Sequence, residues 1–200
     1  MFDLVNLIET GGYLGLFAII FAESGLFFGF FLPGDSLLFT AGFIAAQGLL
    51  NIWLLAPLLF VAAVLGDSTG YAFGKKVGPK IFNRPESRFF KPTHISKANK
   101  FFLTHGNNAI VLARFIPIIR TFVPIVAGVG SMPYRNFIIY NLVGGFLWTV
   151  GLTVLGYTLG AQIPEAEKYL HWIIAVIILT SFLPALKHLK REPKINQASK

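Results

Sequence analysis

The sequence contains no cysteine, which excludes a disulfide framework, a thiolate nucleophile and a cysteine metal site. It is also poor in charge. Only 13% of its residues are ionised, about half the share of an ordinary soluble domain. No H-E-x-x-H, EF-hand or Walker A motif occurs, so no metal centre or P-loop is expected and no cofactor is called for. The first 74 residues hold no Lys or Arg. Without a basic n-region or a clear small-residue cleavage site, the N-terminus does not read as a cleaved signal peptide. What is abundant is apolar surface: 54% of 200 residues, with 21 Phe and a mean hydropathy of +0.66. A soluble domain of this size cannot hide so much and still present a charged surface. The chain is expected in a bilayer, which excludes a cytosolic enzyme, a secreted disulfide module and a disordered tail.

The net charge of +8 is unevenly spread. Between Lys75 and Lys100 there are eight basic residues and one acid, Glu86; between Lys187 and Lys200 there are five and one acid, Glu192. Such blocks in a membrane protein mark cytoplasmic segments facing anionic lipid rather than a nucleic-acid site. The N-terminus, with Asp3 and Glu9, and the connection 161–168, with Glu165, Glu167 and Lys168, are then assigned to the opposite side. Three segments read as able to span: 49–74, 136–164 and 169–186. In the first, 18 uncharged residues precede Asp67, about 27 Å as helix against a core of about 30 Å.

Two further apolar segments are broken. Residues 12–48 are interrupted at Phe31-Leu32-Pro33-Gly34-Asp35-Ser36, and residues 108–132 at Pro117, Arg120 and Pro124. The arms are too short to cross alone; the arm 36–48 is about 20 Å long as helix. Broken backbone at membrane depth survives only inside protein or beside a wet cavity, so each segment is read as a re-entrant helical hairpin. At an offset of 86 residues, Ala41-Gly42 matches Ala127-Gly128, and the G-Y-x-x-G of Gly70 to Gly74 matches that of Gly156 to Gly160. The expected fold is an all-α membrane protein, a single polytopic domain over residues 1–200. It is an inverted repeat of re-entrant hairpin plus transmembrane helix, with an additional C-terminal transmembrane helix. Repeat 1 covers about 12–74 and repeat 2 about 108–160. A basic cytoplasmic loop (75–107), the C-terminal helix (169–186) and a basic cytoplasmic tail (187–200) complete the chain.

Glu23, Asp35, Asp67, Arg114 and Arg120 lie within these apolar segments. One charge at mid-bilayer costs about 2.5–3.5 kcal/mol, so four leave a penalty on the order of 10 kcal/mol unless they pair or reach water. Glu23 and Asp35 come from the first hairpin, Arg114 and Arg120 from the second, so tips that meet would neutralise one another. The structural alternative is an ion-pair lock; the functional one is a substrate site. Arg keeps its charge and offers a planar fork suited to phosphate. Asp35 or Ser36 is expected to cap the following arm, whose N-terminus adds positive potential near the tip. Together these suit an amphiphile with an anionic head. A carboxyl released from its Arg by that anion is a candidate proton carrier.

Other features are secondary. Asp67 is either a further partner for an Arg or a wet-cavity residue. Gly66-Asp67-Ser68-Thr69-Gly70 matches the hydrolase elbow G-x-S-x-G but sits in an apolar helical run. Gly66, Gly70 and Gly74 read better as a small-residue packing stripe. Arg135 is placed at the interface, Asn141 in a helix–helix hydrogen bond, and Lys75 and Lys76 at the cytoplasmic end of a span.

Several motifs resemble one family. Phe21-Ala22-Glu23-Ser24 followed by Phe31-Leu32-Pro33-Gly34-Asp35-Ser36-Leu37-Leu38-Phe39 resembles the first signature of the DedA family. This is the bacterial branch of the SNARE-associated, or VTT-domain, superfamily. Gly66-Asp67 with Gly70-Tyr71 and Gly74 is similar to its second signature. Ala113-Arg114-Phe115-Ile116-Pro117, Arg120-Thr121-Phe122 and Pro124, then Ala127-Gly128 and Met132, are similar to its third. Asn141, Gly144 and Trp148 fit the helix that follows; Lys75 departs, standing where an Arg is common. The resemblance implies a multi-pass bacterial inner-membrane protein with two re-entrant hairpins, relying on Glu23, Asp35, Arg114 and Arg120. It implies return of undecaprenyl phosphate across the membrane, linked in some members to the proton gradient, and phospholipid scrambling in eukaryotic relatives.

The expectation is therefore a transporter and not an enzyme, with no catalytic and no metal residues. Its partners are a polyprenyl phosphate or anionic phospholipid, protons and the bilayer, with no nucleic acid; an oligomer is compatible. The rivals are a phospholipid scramblase, a proton-coupled exporter of small cations or drugs, a lipid-pyrophosphate phosphatase and a structural organiser.

Overall fold

The computed structural model describes residues 4–25, 33–82, 106 and 108–162. The expected C-terminal helix 169–186, the tail, nearly all of the basic loop beyond 82 and residues 26–32, which include Phe31 and Leu32 of the expected interruption, lie outside the described residues. Every described element is helical. In chain order they are α1 (Leu4–Gly25), α2 (Gly34–Ala46), α3 (Ile52–Phe82), α4 (Asn108–Ala113), α5 (Pro117–Val129), α6 (Tyr134–Gly145) and α7 (Gly151–Gln162). A π-helical turn, Phe146–Val150, joins α6 to α7.

Two helical stretches are long and apolar enough to cross a membrane, Ile52–Val77 and Tyr134–Gln162. Asn51 starts the first: its side-chain oxygen accepts the Trp53 N–H at 2.9 Å, as an N-cap does. Trp53 is 86% exposed, in keeping with an interfacial ring. The Asn51 N–H in turn donates to the Tyr13 hydroxyl of α1 at 2.7 Å. α3 does not stop at Gly74, as the composition suggested, but runs on through Lys75 and Lys76 to Phe82. Lysine is a good helix former and both side chains are exposed, so charge ends the apolar run without ending the helix.

The shorter elements fall where the chain was expected to break, with one correction. Pro117, Arg120 and Pro124 do not interrupt the second apolar segment. Its break is confined to residues 114–116, and α5 is as long as α2, 13 residues each. Pro117 opens α5, where its missing N–H would lack a partner anyway. Pro124 sits inside the helix and releases the carbonyl of residue 120, four positions earlier.

Packing exchanges partners between the halves of the chain. α2 lies along α7, α5 lies along α3, and α1 also packs on α3. The first two seams are made by glycine against backbone. A β-carbon at Gly42 would collide with the Thr153 carbonyl, and one at Gly156 with the Phe39 carbonyl. Likewise Gly74 faces the Ile125 carbonyl and Gly128 the Tyr71 carbonyl. Gly66 meets the Phe21 carbonyl of α1. The Gly66, Gly70, Gly74 stripe is thus a packing surface, and Ser68 lies within the continuous helix α3 rather than on a strand-to-helix elbow. Small residues let backbones approach where lipid offers no hydrophobic drive for association.

Two apolar clusters result. Leu16, Ile20, Leu37, Leu38, Leu55, Leu59 and Trp148 belong to one; Tyr71, Ile110, Val123 and Phe137 belong to the other. α3 contributes to both, and Asp67 lies one turn from each contribution, Ala63 and Tyr71.

Candidate functional site

The unexpected residues in the apolar segments come together. Arg120, in the first turns of α5, pairs with both acids of the first broken segment, Glu23 of α1 and Asp35 of α2. Its Nη1 lies 2.5 Å from Asp35 Oδ1, and its Nη2 pairs with Glu23 Oε1. Glu23 is fully buried at the end of α1, and Arg120 is 7% exposed. The Glu23 carboxylate fits only because residue 34 has no side chain: a β-carbon there would overlap it.

Arg114 behaves differently from the expectation that it would meet the same acids. Its Nη2 pairs with Asp67 Oδ2 on α3 and donates to Asn141 Oδ1 on α6. Asn141 also donates from Nδ2 to the Val64 carbonyl at 3.3 Å, so it is both the helix–helix link expected and a holder of Arg114. The physical reason is position. Arg114 sits in the turn just after α4, which packs on α6, and α6 stands beside α3. Asp67 is therefore an arginine partner.

Trp148 joins the two groups. Its Nε1–H donates to Asp35 Oδ1 at 2.8 Å. Its ring lies 4.4 Å from the Arg120 guanidinium carbon and 5.8 Å from that of Arg114, within reach of a cation–π attraction. The π-turn containing Trp148 sets the ring's direction; such turns add a residue per turn and commonly mark functional positions. Sequence reasoning noted Trp148 only as part of the following helix. The signal that was available is an indole donor in a glycine-flanked apolar stretch facing an excess of carboxylates.

The two remaining candidates lie outside this cluster. Ser36 is buried in the first turn of α2, but neither it nor Asp35 caps that helix. Pro33 occupies the N-cap and makes no side-chain cap bond, because Asp35 is already inside the helix with its carboxylate committed to Arg120 and Trp148. Arg135 is exposed at the start of α6.

The assembled site holds two guanidiniums and three carboxylates from both halves of the chain, nearly closed to solvent. Its bonding is not saturated. Arg120 Nε and Glu23 Oε2 are buried with no hydrogen-bond partner among the described residues. No group of residues that could hold a metal ion occurs among the described residues.

The VTT domain profile matches residues 32–158, which contain all of the cluster except Glu23. Protein DedA of Escherichia coli is 42% identical over 184 residues, covering 91% of this chain and 84% of that protein. An uncharacterized membrane protein of Mycobacterium leprae is 47% identical over 168 residues, covering 84% and 75%. Inner membrane protein YqjA of Escherichia coli is 36% identical over 167 residues, covering 84% and 76%. No solved structure matches the chain. With the profile and these relatives running across the charged cluster and both long apolar helices, the chain belongs to the DedA family of VTT-domain membrane proteins.

Proposed function

We propose that this protein is a lipid-phosphate flippase of a bacterial inner membrane, and that it carries the head group of undecaprenyl phosphate or a similar polyprenyl phosphate between leaflets. One observation carries the reading: two arginines and three acids from the two halves close on one another within apolar helices. Intramembrane ionisable groups are expensive to keep, and by default they mark a transport path. The residues argue for an anionic amphiphile; the choice of undecaprenyl phosphate rests on the family resemblance.

The chemistry is an exchange of anions. A phosphate displaces Asp35 or Glu23 from Arg120, whose fork offers paired donors and whose Nε is free to take a further oxygen. A released carboxyl takes up a proton, which offsets one unit of the negative charge that the head brings into the site. The isoprenoid tail stays in lipid and only the head crosses. This is transport and not catalysis. We place the two broken segments as re-entrant hairpins in an inverted repeat, supported by the exchanged α2–α7 and α3–α5 packing. We place the basic loop and tail in the cytoplasm, supported by their Lys and Arg content.

The test is flipping of a polyprenyl phosphate by the purified protein in liposomes. Arg114→Ala and Arg120→Ala each abolish flipping while leaving a folded protein; a full rate in either removes that residue from the mechanism. A rate indifferent to an imposed pH gradient removes the proton. A proton-coupled exporter of small cations is the second reading, favoured by the acid excess that Asp67 brings to the cluster. Competition between lipid phosphate and a cationic drug for binding separates the two.

A further inference from the structure

Beside the ion cluster, the end of α3 and the start of α6 enclose an open groove of about 430 Å3, lined by Ser68, Tyr71, Ala72, Lys75, Lys76 and Tyr134. Its floor is aromatic. The Tyr71 ring lies 4.7 Å from that of Phe137 and 5.3 Å from that of Tyr134. The Tyr71 hydroxyl donates to the Met132 carbonyl, which holds the ring in place. Lys75 and Lys76 stand at the end of the apolar stretch Ile52–Val77, the level at which ammonium groups reach the headgroup region. Among the described residues neither makes an ion pair. Next to Ala72 on α3, Phe73 is an exposed apolar side chain.

A run of polar groups leads inward from this groove. The Tyr134 hydroxyl lies 3.3 Å from Ser68 Oγ. Ser68 donates to the Val64 carbonyl at 2.8 Å, the same carbonyl that receives Asn141 Nδ2. Asn141 in turn accepts from Arg114. The groove and the ion cluster are thus connected through four polar groups on α3 and α6.

We infer that this groove is a docking site for the phosphomonoester head of an anionic lipid at the membrane surface, from which the head passes to Arg114. Lys75 and Lys76 supply the charge, Tyr134 supplies a hydroxyl donor by turning its O–H from Ser68 to the phosphate, and the tail leaves past Phe73 into lipid. The inference rests on the flippase reading and adds the place of substrate capture. A pair of lysines that merely anchors a span attracts any anionic lipid alike. The Tyr134 hydroxyl beside them gives a reason to prefer a phosphomonoester, with more exposed oxygens, over a phosphodiester.

The experiment uses the full chain in phosphatidylcholine nanodiscs and a diazirine-bearing phosphatidic acid as probe. Crosslinks are mapped by peptide, and competitors are phosphatidic acid, phosphatidylglycerol and inorganic phosphate. Crosslinking is expected within peptide 68–76 or at Tyr134, displaced by phosphatidic acid well before phosphatidylglycerol. K75Q/K76Q is expected to weaken binding about 25-fold, or about fivefold per lysine, and Tyr134→Phe about tenfold. Circular dichroism and gel filtration establish that the variants are folded. Unchanged binding in folded K75Q/K76Q overturns the site. Equal competition by phosphatidylglycerol reduces the lysines to an anchor and overturns it too. Equal competition by inorganic phosphate assigns the groove to a free anion and overturns the lipid. Flipping in liposomes is scored separately, so a protein that binds here but does not flip refutes the transport reading and leaves the groove standing.

Discussion

Replacing Asp67 by Leu strands the Arg114 guanidinium. The two side chains are 5% and 4% exposed, so solvent screening does not soften the loss. Removing one partner of a buried ion pair costs about 3–5 kcal/mol. Asn141 still accepts from Arg114, which places Asp67→Leu near the lower end, about 3 kcal/mol or roughly a 150-fold fall in the folded-to-unfolded ratio. Arg114→Leu strands Asp67 in the same way and falls in the same range of about 3–5 kcal/mol. The double variant leaves no stranded charge. Buried pairs replaced by apolar residues of similar size are often neutral or stabilised, so D67L/R114L is expected within about 1 kcal/mol of the parent, a strong departure from additivity. The assay is reversible unfolding in mixed micelles followed by circular dichroism, with flipping measured in parallel. The double variant recovers stability and transports nothing. If its stability loss equals the sum of the single losses, the two residues do not pair. If it flips at the parental rate, Arg114 has no place in the transport site.

Three other outcomes follow from the geometry. Gly34→Ala puts a β-carbon into the Glu23 carboxylate, so flipping and stability both fall, the latter by about 1–3 kcal/mol; Gly15→Ala, with open space around it, leaves both intact. Trp148→Phe keeps a ring against Arg120 but loses the donor to Asp35, a loss of about 1.5–3 kcal/mol for a hydrogen bond to a charged group, read by the same unfolding assay; an unchanged midpoint would remove that bond from the account. Arg120→Lys offers one ammonium where a fork now holds Asp35 and Glu23 separately. Its flipping rate in liposomes is therefore expected at the level of Arg120→Ala rather than between that and the parent.

The energetic cost of charge in lipid was enough to single out Glu23, Asp35, Asp67, Arg114 and Arg120 from the chain alone, because that argument needs only composition along a segment. Which acid meets which arginine was not readable. Pairing depends on how helices are rotated against one another, and α2, α3, α6 and α7 do not segregate apolar from polar residues onto separate faces, so periodicity carries little orientation. Arg114 therefore took Asp67, and Asp35 gained Trp148 through a π-turn that no propensity foretells. The proline-rich segment misled for a local reason. Pro117 and Pro124 read as breaks, yet one starts α5 and the other rides within it, leaving Arg120 on an ordinary helical turn. The glycine stripe on α3 was legible because close backbone approach demands the absence of a side chain, and that demand is written directly as residue type.

The long sequence separation inside the Arg120 pairs bears on how the protein is made. Asp35 and Glu23 are 85 and 97 residues ahead of the arginine that neutralises them. At synthesis rates of about 5–20 residues per second, each newborn chain holds two unmatched carboxyls for about 4–20 seconds. During that wait the segment carrying Glu23 and Asp35 has no low-energy home in lipid, so it is expected to be sheltered near water by the insertion machinery. Ribosome-stalled chains ending before residue 114 should therefore still crosslink to the insertase through residue 23, and release into lipid at that length would contradict this order of assembly.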